Sequence, residues 1–576
     1  MSENAVLTGY PSIDKPWLKY YSVERIHEPL KKCTIYQYIF DENRNHLQDT
    51  AILYFGKKID YEALFHNVEC CTKALLSNGI KRGDCINILT AAIPEAVYLA
   101  LACSRIGIIA NFINPVFDKI QMTDRINDTS SDWLFVMDAL VPRVQTALNG
   151  ICSRHVVLIP IQESLNEQTH NTTLQKTLED QFDSIVFSNW SDFFQTSATY
   201  KGSIIDNYIE DTPAIMVYSS GSTGASKGIL HTNDSVNATL QDSMSSGVQF
   251  QRGLVYLQMI PIWFSTGIVQ SILLPLSMGV SVAMEPRFDN KVFVEDLLAY
   301  RPTLTLVATN MWVAAMQDER MANADLSTLI YPFTGGEKVM SNIEHALNDF
   351  FKKHGCDATL FNGYGMCELG GKVTDSLSVK REGSVGIPMS RIVIGIFDPE
   401  TNEELSYRKH GEIRVDSPAH MKEYYKNKKA TEQFFWKDNT GTIWGRTGDI
   451  GYIDEDGLLF VLGRATDSFI SDSKKIVYLF DIENEIIKDK CIEECKAVDI
   501  ATETGKRIVV HIIFKQAVNT DGILHRIQTR LIERLPEYML PDYYKLRETM
   551  PVNANGKRDI GLLRQDTDNL IDAKKV

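Results

Sequence analysis

M-V-Y-S-S-G-S-T-G-A-S-K, residues Met216 to Lys227, runs from the apolar end of a strand into a loop of hydroxyls and glycines that closes on a lysine. In an α/β sheet, ligands sit beyond the carboxyl ends of strands, so such a loop marks both a fold and a candidate site. The residue types suit an anion. Glycines let the backbone approach closely, hydroxyls and amide N–H groups donate to phosphate oxygens, and Lys227 adds a positive charge. The two common phosphate signatures are nevertheless missing: no Ser or Thr follows Lys227, and no G-x-G-x-x-G occurs here. Taken alone, the cluster reads either as a flexible loop or as a phosphate cradle.

Outward from the loop, strand and helix alternate. Upstream, Tyr61 to Asn78 has helical spacing with a cap at Asp60, Cys85 to Thr90 reads as a buried strand, Pro94 to Arg105 as a helix and Ile108 to Asn114 as a strand. Residues Ile161 to Ile205 are polar and weakly periodic, which predicts a peripheral excursion. Downstream come strands at Leu254 to Met259, Val280 to Met284 and Thr303 to Ala308, with helices at Ile268 to Leu276 and Val292 to Tyr300. The expected class is α/β, with two doubly wound sheet units in tandem over residues 30 to 380. Past Gly383 short strands and turns predict a small β-rich subdomain. Near Gly463 the pattern changes again, which divides the chain into a large domain, 1–463, and a small α+β lid, 464–576.

The totals narrow the function. With 576 residues, 44% apolar and 23% charged, the chain is a folded protein of several subdomains. A net charge of −15 with dispersed basic residues argues against nucleic acid as a partner. Ten cysteines show no C-x-x-C or Cys/His metal spacing and read as reduced thiols in a cytoplasmic protein. No signal peptide or transmembrane segment is expected, because the most apolar run, Ile268 to Met284, is short and carries Pro275 and Gly279.

Nine blocks in order make the loop specific. They are Y-S-S-G-S-T-G-A-S-K-G (Tyr218 to Gly228), P-I-W-F-S-T-G (Pro261 to Gly267), T-G-G-E (Thr334 to Glu337), N-G-Y-G-M-C-E (Asn362 to Glu368), G-E-I-R-V (Gly411 to Val415), W-G-R-T-G-D-I-G (Trp444 to Gly451), L-G-R-A-T-D (Leu462 to Asp467), L-P-E-Y-M-L-P (Leu535 to Pro541) and P-V-N-A-N-G-K (Pro551 to Lys557). In these blocks the chain resembles the adenylate-forming superfamily of acyl-CoA synthetases, peptide-synthetase adenylation domains and luciferases. The resemblance implies that a carboxylic acid is joined to AMP from ATP, pyrophosphate is released, and the acyl group passes to a thiol. It implies that Ser219, Ser220, Gly221, Ser222, Thr223, Gly224 and Lys227 hold the phosphates and that Thr223 and Glu368 flank Mg²⁺. It assigns Gly335, Gly336, Glu337, Asn362, Tyr364 and Gly365 to the adenine pocket, and Asp449 and Arg464 to the ribose and phosphate. Trp263, Phe264, Gly267 and Met366 become acyl-pocket residues, Thr466 and Asp467 the hinge, and Lys557 the lid lysine that meets the α-phosphate and the attacking carboxylate.

Two departures bear on specificity. Phe264 stands where family members often carry a His, and no Asp marks an amino-acid ammonium, so a hydrophobic fatty or arylalkanoic acid is expected. The boundary run G-R-A-T-D-S-F-I-S-D-S-K-K-I places Ser473 where relatives have a glycine on the thiol's path, while Lys474 and Lys475 offer charge to a CoA phosphate. The thiol is then CoA or, alternatively, a carrier protein's phosphopantetheine. A third reading, from another class, is a catalytically silent nucleotide- or acyl-binding relative. The set Lys227, Glu368, Asp449, Arg464 and Lys557 speaks against that one.

Overall fold

This computed structural model describes residues 7–165, 172–206, 208–219, 226–244, 251–287, 289–471, 475–502, 505–515, 522–551 and 558–576. It divides into two compact units, one of residues 1–395, 414–446 and 453–460, the other of 396–413, 447–452 and 461–576.

The first unit holds two sheets with strands of the α/β kind. One has eight strands in the spatial order Glu423–Tyr424, Gly228–Thr232, Pro213–Tyr218, Ile109–Phe112, Cys85–Leu89, Trp133–Met137, His155–Ile159 and Val186–Asn189. From Pro213–Tyr218 to the Val186 edge every pairing is parallel; on the other side Gly228–Thr232 and Glu423–Tyr424 run antiparallel. The second sheet has seven strands in the order Phe361–Gly363, Tyr331–Gly335, Leu304–Val307, Val255–Gln258, Ser281–Met284, Thr50–Tyr54 and Lys57–Asp60, parallel except at the last pair. Their central strands are buried and mostly apolar, as strands covered on both faces require, with Asn111 Nδ2 donating to Asn87 Oδ1 across neighbouring strands.

The helices obey their local signals. Asp60 caps Tyr61–Ser77 by accepting from Ala63 N–H, and Pro94 opens Pro94–Ile106, which Gly107 ends in the left-handed conformation. The buried faces of these helices share one core with residues of both sheets, including Ile52, Ile88, Leu99, Val217 and Ile272.

Three expectations change in detail. The sheets are not strictly in tandem, because the early hairpin Thr50–Asp60 joins the sheet built from residues 255–363: Ile52 pairs with Val282. The excursion over 161–205 is peripheral, yet it supplies the edge strand Val186–Asn189 and the helices Thr172–Glu179 and Trp190–Gln195, whose buried Trp190 and Phe193 outweigh the polar composition. The helix expected over 268–276 is a π-helix, Thr266–Leu273, followed by a short α-turn, Leu274–Ser277. Pro275 has no N–H to donate back into an α-ladder, and Leu274 N–H reaches Val269 O, five residues back.

In the second unit a four-stranded sheet runs Ile492–Thr502, Gly505–Phe514, Tyr543–Leu546, Ile571–Asp572. The helices Leu479–Ile486 and Ile523–Arg534 share its core through Ile482, Ile486, Ile527 and Leu531. Among the described residues, no helix is long and apolar enough to cross a membrane.

Candidate active site

The strand Pro213–Tyr218 ends at a closed neck. Ser219 N–H donates to the Lys227 carbonyl at 3.0 Å, Lys227 N–H donates to Ser219 Oγ at 3.1 Å, and Ser226 Oγ donates to the Ser219 carbonyl at 2.8 Å. These three bonds join Ser219 to Ser226 and Lys227. Lys227 opens into the buried strand Gly228–Thr232, and its ammonium lies 4.3 Å from the centre of the Tyr424 ring, a cation–π contact.

Glu368 arrives from the other sheet. It lies in the 3₁₀ turn Cys367–Leu369, just after the strand Phe361–Gly363, and is buried. Ser265 Oγ donates to the Cys367 carbonyl at 3.0 Å, and His231 Nε2 lies 2.8 Å from the same oxygen. A carbonyl only accepts, so His231 carries its proton on Nε2; burial holds the imidazole neutral by pushing its pKa down to about 4. Met421 N–H closes the turn on the Glu368 carbonyl at 2.8 Å. At the side chain, Tyr424 Oη donates to Glu368 Oε1 at 2.7 Å. The turn also needs Gly365, where a Cβ would meet the Gly371 carbonyl oxygen at 2.2 Å.

Beside this turn the end of the seven-stranded sheet offers neutral polar groups. Thr334 pairs with Asn362 and Gly335 with Gly363, and the exposed Gly336 and Glu337 follow. Asn362 N–H donates to Ser376 Oγ at 2.9 Å and its Nδ2 to the Ser384 carbonyl at 3.0 Å. Its Oδ1 is buried with no hydrogen-bond partner among the described residues. Such an orphan acceptor costs about 1–3 kcal/mol, which an amine donor would recover. Tyr364 is partly exposed on the same strand end.

In the second unit Asp449 is buried in the strand Ile443–Ile453, and Arg464 Nε stands 3.0 Å from its Oδ1. Arg464 Nη1 also donates to the Thr447 carbonyl at 3.2 Å. Thr466 and Asp467 lie in the 3₁₀ turn Ala465–Asp467; Asp467 is ion-paired with Lys496 at 3.1 Å, and Lys496 with Glu483 at 3.0 Å.

The AMP-binding enzyme family profile matches residues 39–425. The chain belongs to the AMP-binding enzyme family. This AMP-binding enzyme is 23% identical over 566 residues to a long-chain-fatty-acid–CoA ligase of Bacillus subtilis (strain 168), covering 96% of this chain and 99% of that protein. It is 27% identical over 394 residues to a probable 4-coumarate–CoA ligase of Dictyostelium discoideum, covering 67% and 68%. A solved anthranilate CoA ligase in complex with anthranoyl-AMP shares the fold with a TM-score of 0.77 at 18% identity, covering 93% of this chain and 98% of that one. The motif blocks thus carry the adenylate-forming superfamily, and the enzyme stands with the AMP-forming acid–thiol ligases.

Of the residues singled out in the sequence, Ser219, Lys227, Gly335, Asn362, Tyr364, Gly365 and Glu368 lie at strand ends and turns of the two sheets, and Tyr424 brings Lys227 and Glu368 together. Trp263 is buried, while Phe264 and Met366 are partly buried, all against the shared core. Gly267 has a packing reason: a Cβ there would meet the Pro261 carbonyl oxygen at 2.0 Å. Ser220, Gly221, Ser222, Thr223, Gly224, Ser473, Lys474 and Lys557 lie outside the described residues. Sequence reasoning missed Tyr424, His231 and Ser265. The signals were a histidine inside the apolar strand I-L-H-T and a tyrosine pair in M-K-E-Y-Y, neither of which carries chemistry without its neighbours.

Proposed function

We propose that this chain activates a hydrophobic carboxylic acid, fatty or arylalkanoic, with ATP and passes the acyl group to CoA. The acid's carboxylate oxygen attacks the α-phosphorus in line, the bond to the bridging oxygen breaks, and pyrophosphate leaves with the electron pair. A thiolate then attacks the acyl carbon, and AMP leaves. Such a first step needs positioning and charge neutralisation rather than a covalent nucleophile. The observation that carries the reading is the convergence of Lys227 and Glu368, a cation suited to phosphates and a buried carboxylate suited to a hard cation, on one residue, Tyr424. Asn362 supports it, because its orphan Oδ1 accepts what an exocyclic adenine amine donates.

Among the described residues no three His, Cys, Asp or Glu side chains cluster as a metal cage. Glu368 fits Mg²⁺ in the remaining way, as a protein ligand completed by phosphate oxygens, and Thr223, outside the described residues, is the second ligand that the resemblance implies. When bound, Mg²⁺ would neutralise charge building on the phosphates. Asp449 would accept from the ribose hydroxyls, Arg464 would face ribose and phosphate, and Lys557 would carry its ammonium to the reacting carboxylate. The division into 1–463 and a lid, 464–576, hinged at Thr466 and Asp467, belongs to the same proposal. A cytoplasmic setting is supported by ten cysteines of which none is in a disulfide.

The deciding experiment is acid-dependent pyrophosphate release over fatty, arylalkanoic and amino acids, repeated with CoA and with a holo-carrier protein. Release with an apolar acid and thioester formation on CoA are expected. Thioester only on the carrier moves the acceptor to a protein-bound phosphopantetheine, and silence across all acids favours a nucleotide- or acyl-binding relative. Lys557→Ala should abolish release while keeping ATP binding.

A further inference from the structure

Glu368 and Lys227 come from different sheets; His231, on the strand after Lys227, ties the backbone of the Glu368 turn through the Cys367 carbonyl, and the two side chains remain to be set. What they share is Tyr424, which is 5% exposed. Its strand, Glu423–Tyr424, pairs antiparallel with Gly228–Thr232, Tyr424 standing opposite Ile229, two residues beyond Lys227. Thr431 Oγ1 accepts from Tyr424 N–H at 3.0 Å and the ring meets Phe434 edge-on at 6.1 Å, so the backbone and the ring are each held. From there its hydroxyl reaches Glu368 Oε1 at 2.7 Å, and its face lies under the Lys227 ammonium at 4.3 Å. Among the described residues, that hydroxyl supplies the one hydrogen bond to the Glu368 carboxylate.

We infer that Tyr424 is a positioning residue for the metal–nucleotide site: its hydroxyl orients Glu368 so that Oε2 faces a divalent cation, while its ring seats Lys227 for the phosphates of the same nucleotide. This rests on the adenylation reading above. Tyr424 then links the carboxylate and the ammonium side chain to side chain, beside the backbone tie that His231 makes to the Cys367 carbonyl. A rigid tie of this kind keeps the two charges from collapsing into a direct ion pair, which would remove both from the ligand.

Tyr424→Phe keeps the ring and removes the donor. Calorimetry of ATP binding across a Mg²⁺ series should show the half-saturating Mg²⁺ rising about tenfold, the worth of one hydrogen bond to a charged group, and by more than any change in ATP affinity measured in EDTA. Pyrophosphate release should show the same Mg²⁺ shift. In a Glu368→Gln background, adding Tyr424→Phe should move the Mg²⁺ dependence less than about twofold, because the hydroxyl acts through that carboxylate. An unchanged Mg²⁺ dependence in Tyr424→Phe, or fully additive effects in the double variant, overturns the assignment. Should Tyr424→Phe melt early, 4-fluorophenylalanine at position 424 keeps ring and volume without a donor and carries the same test. A wild-type chain that binds Mg²⁺·ATP but releases no pyrophosphate with any acid sinks the adenylation reading alone, and the calorimetric shift still decides Tyr424. A wild-type chain that binds no Mg²⁺·ATP sinks both.

Discussion

The two sheets of the first unit feed the candidate site by different means. The eight-stranded sheet turns antiparallel at one side, so that Pro213–Tyr218, Gly228–Thr232 and Glu423–Tyr424 form a fixed neck and deliver Lys227 and Tyr424. The seven-stranded sheet is parallel at its Phe361–Gly363 side and ends there in tight turns, which present backbone, Asn362 and the rim residues around Gly335. A hairpin edge supplies charge on side chains; parallel ends supply shape and neutral polarity. Glu368 is the crossing point, carried on the second sheet's turn and gripped by the first sheet's tyrosine. The largest expected effect tests that crossing. Glu368→Gln should lower acid-dependent pyrophosphate release by about 10²–10³-fold, the usual loss when one electrostatic group at a reacting centre is removed, with the melting temperature kept. A melting temperature that falls with the rate would make Glu368 a structural tie instead.

The second effect concerns how the turn is tied down. His231, on the hairpin side, donates to the Cys367 carbonyl of the facing turn and is held neutral, its pKa near 4 against 6.5 in an unfolded chain. A lowered histidine pKa gives stability that is complete above pH 6.5 and is lost as pH falls toward 4, since the unfolded chain takes a proton that the fold refuses. That gap corresponds to about 3 kcal/mol. His231→Gln keeps a donor without the titration, so its melting temperature should fall less steeply than the wild type's between pH 6.5 and 4. Parallel slopes would show that His231 titrates freely. His420, half-buried and with its pKa also pushed down to about 4 by desolvation, contributes equally to both proteins and drops out of the difference.

The seven-stranded side should respond through packing. Gly365→Ala drives a Cβ against the Gly371 carbonyl, where neither backbone can yield cheaply, and should cost about 2 kcal/mol of stability together with activity, because Glu368 rides on the same turn. Lys227→Ala, on the hairpin, should cost activity and leave the melting temperature alone. If both variants behaved alike, the division of labour between the two sheets would be lost.

The sequence carried this fold well where local chemistry was strong. Asp60, Pro94 and the apolar run P-A-I-M-V-Y set their elements almost to the residue. It was silent where the partner is distant in the chain. Nothing in Thr50–Tyr54 tells that, besides its hairpin partner Lys57–Asp60, it pairs with Ser281–Met284, since parallel pairing leaves no turn signal. The family blocks named Lys227, Glu368 and Asn362, yet the residues between them in space, Tyr424, His231 and Ser265, are single polar groups in apolar surroundings. Their meaning is a distance, and a distance appears only once two sheets face each other.

The smallest effect sharpens the contrast most. Asn362 Nδ2 is committed to the Ser384 carbonyl, so the amide cannot flip without losing that bond, and Oδ1 is fixed as an acceptor. A fixed acceptor should favour a purine with an exocyclic amine at that place and reject one with a carbonyl there, because two acceptors would face each other undonated. Asn362→Ala should therefore weaken ATP binding about tenfold, the worth of a single buried hydrogen bond, and should narrow the preference for ATP over GTP by a similar factor. Competition binding with the two nucleotides measures both. Equal losses for ATP and GTP would assign Asn362 to holding the Ser384 segment, and the seven-stranded sheet would then supply shape alone.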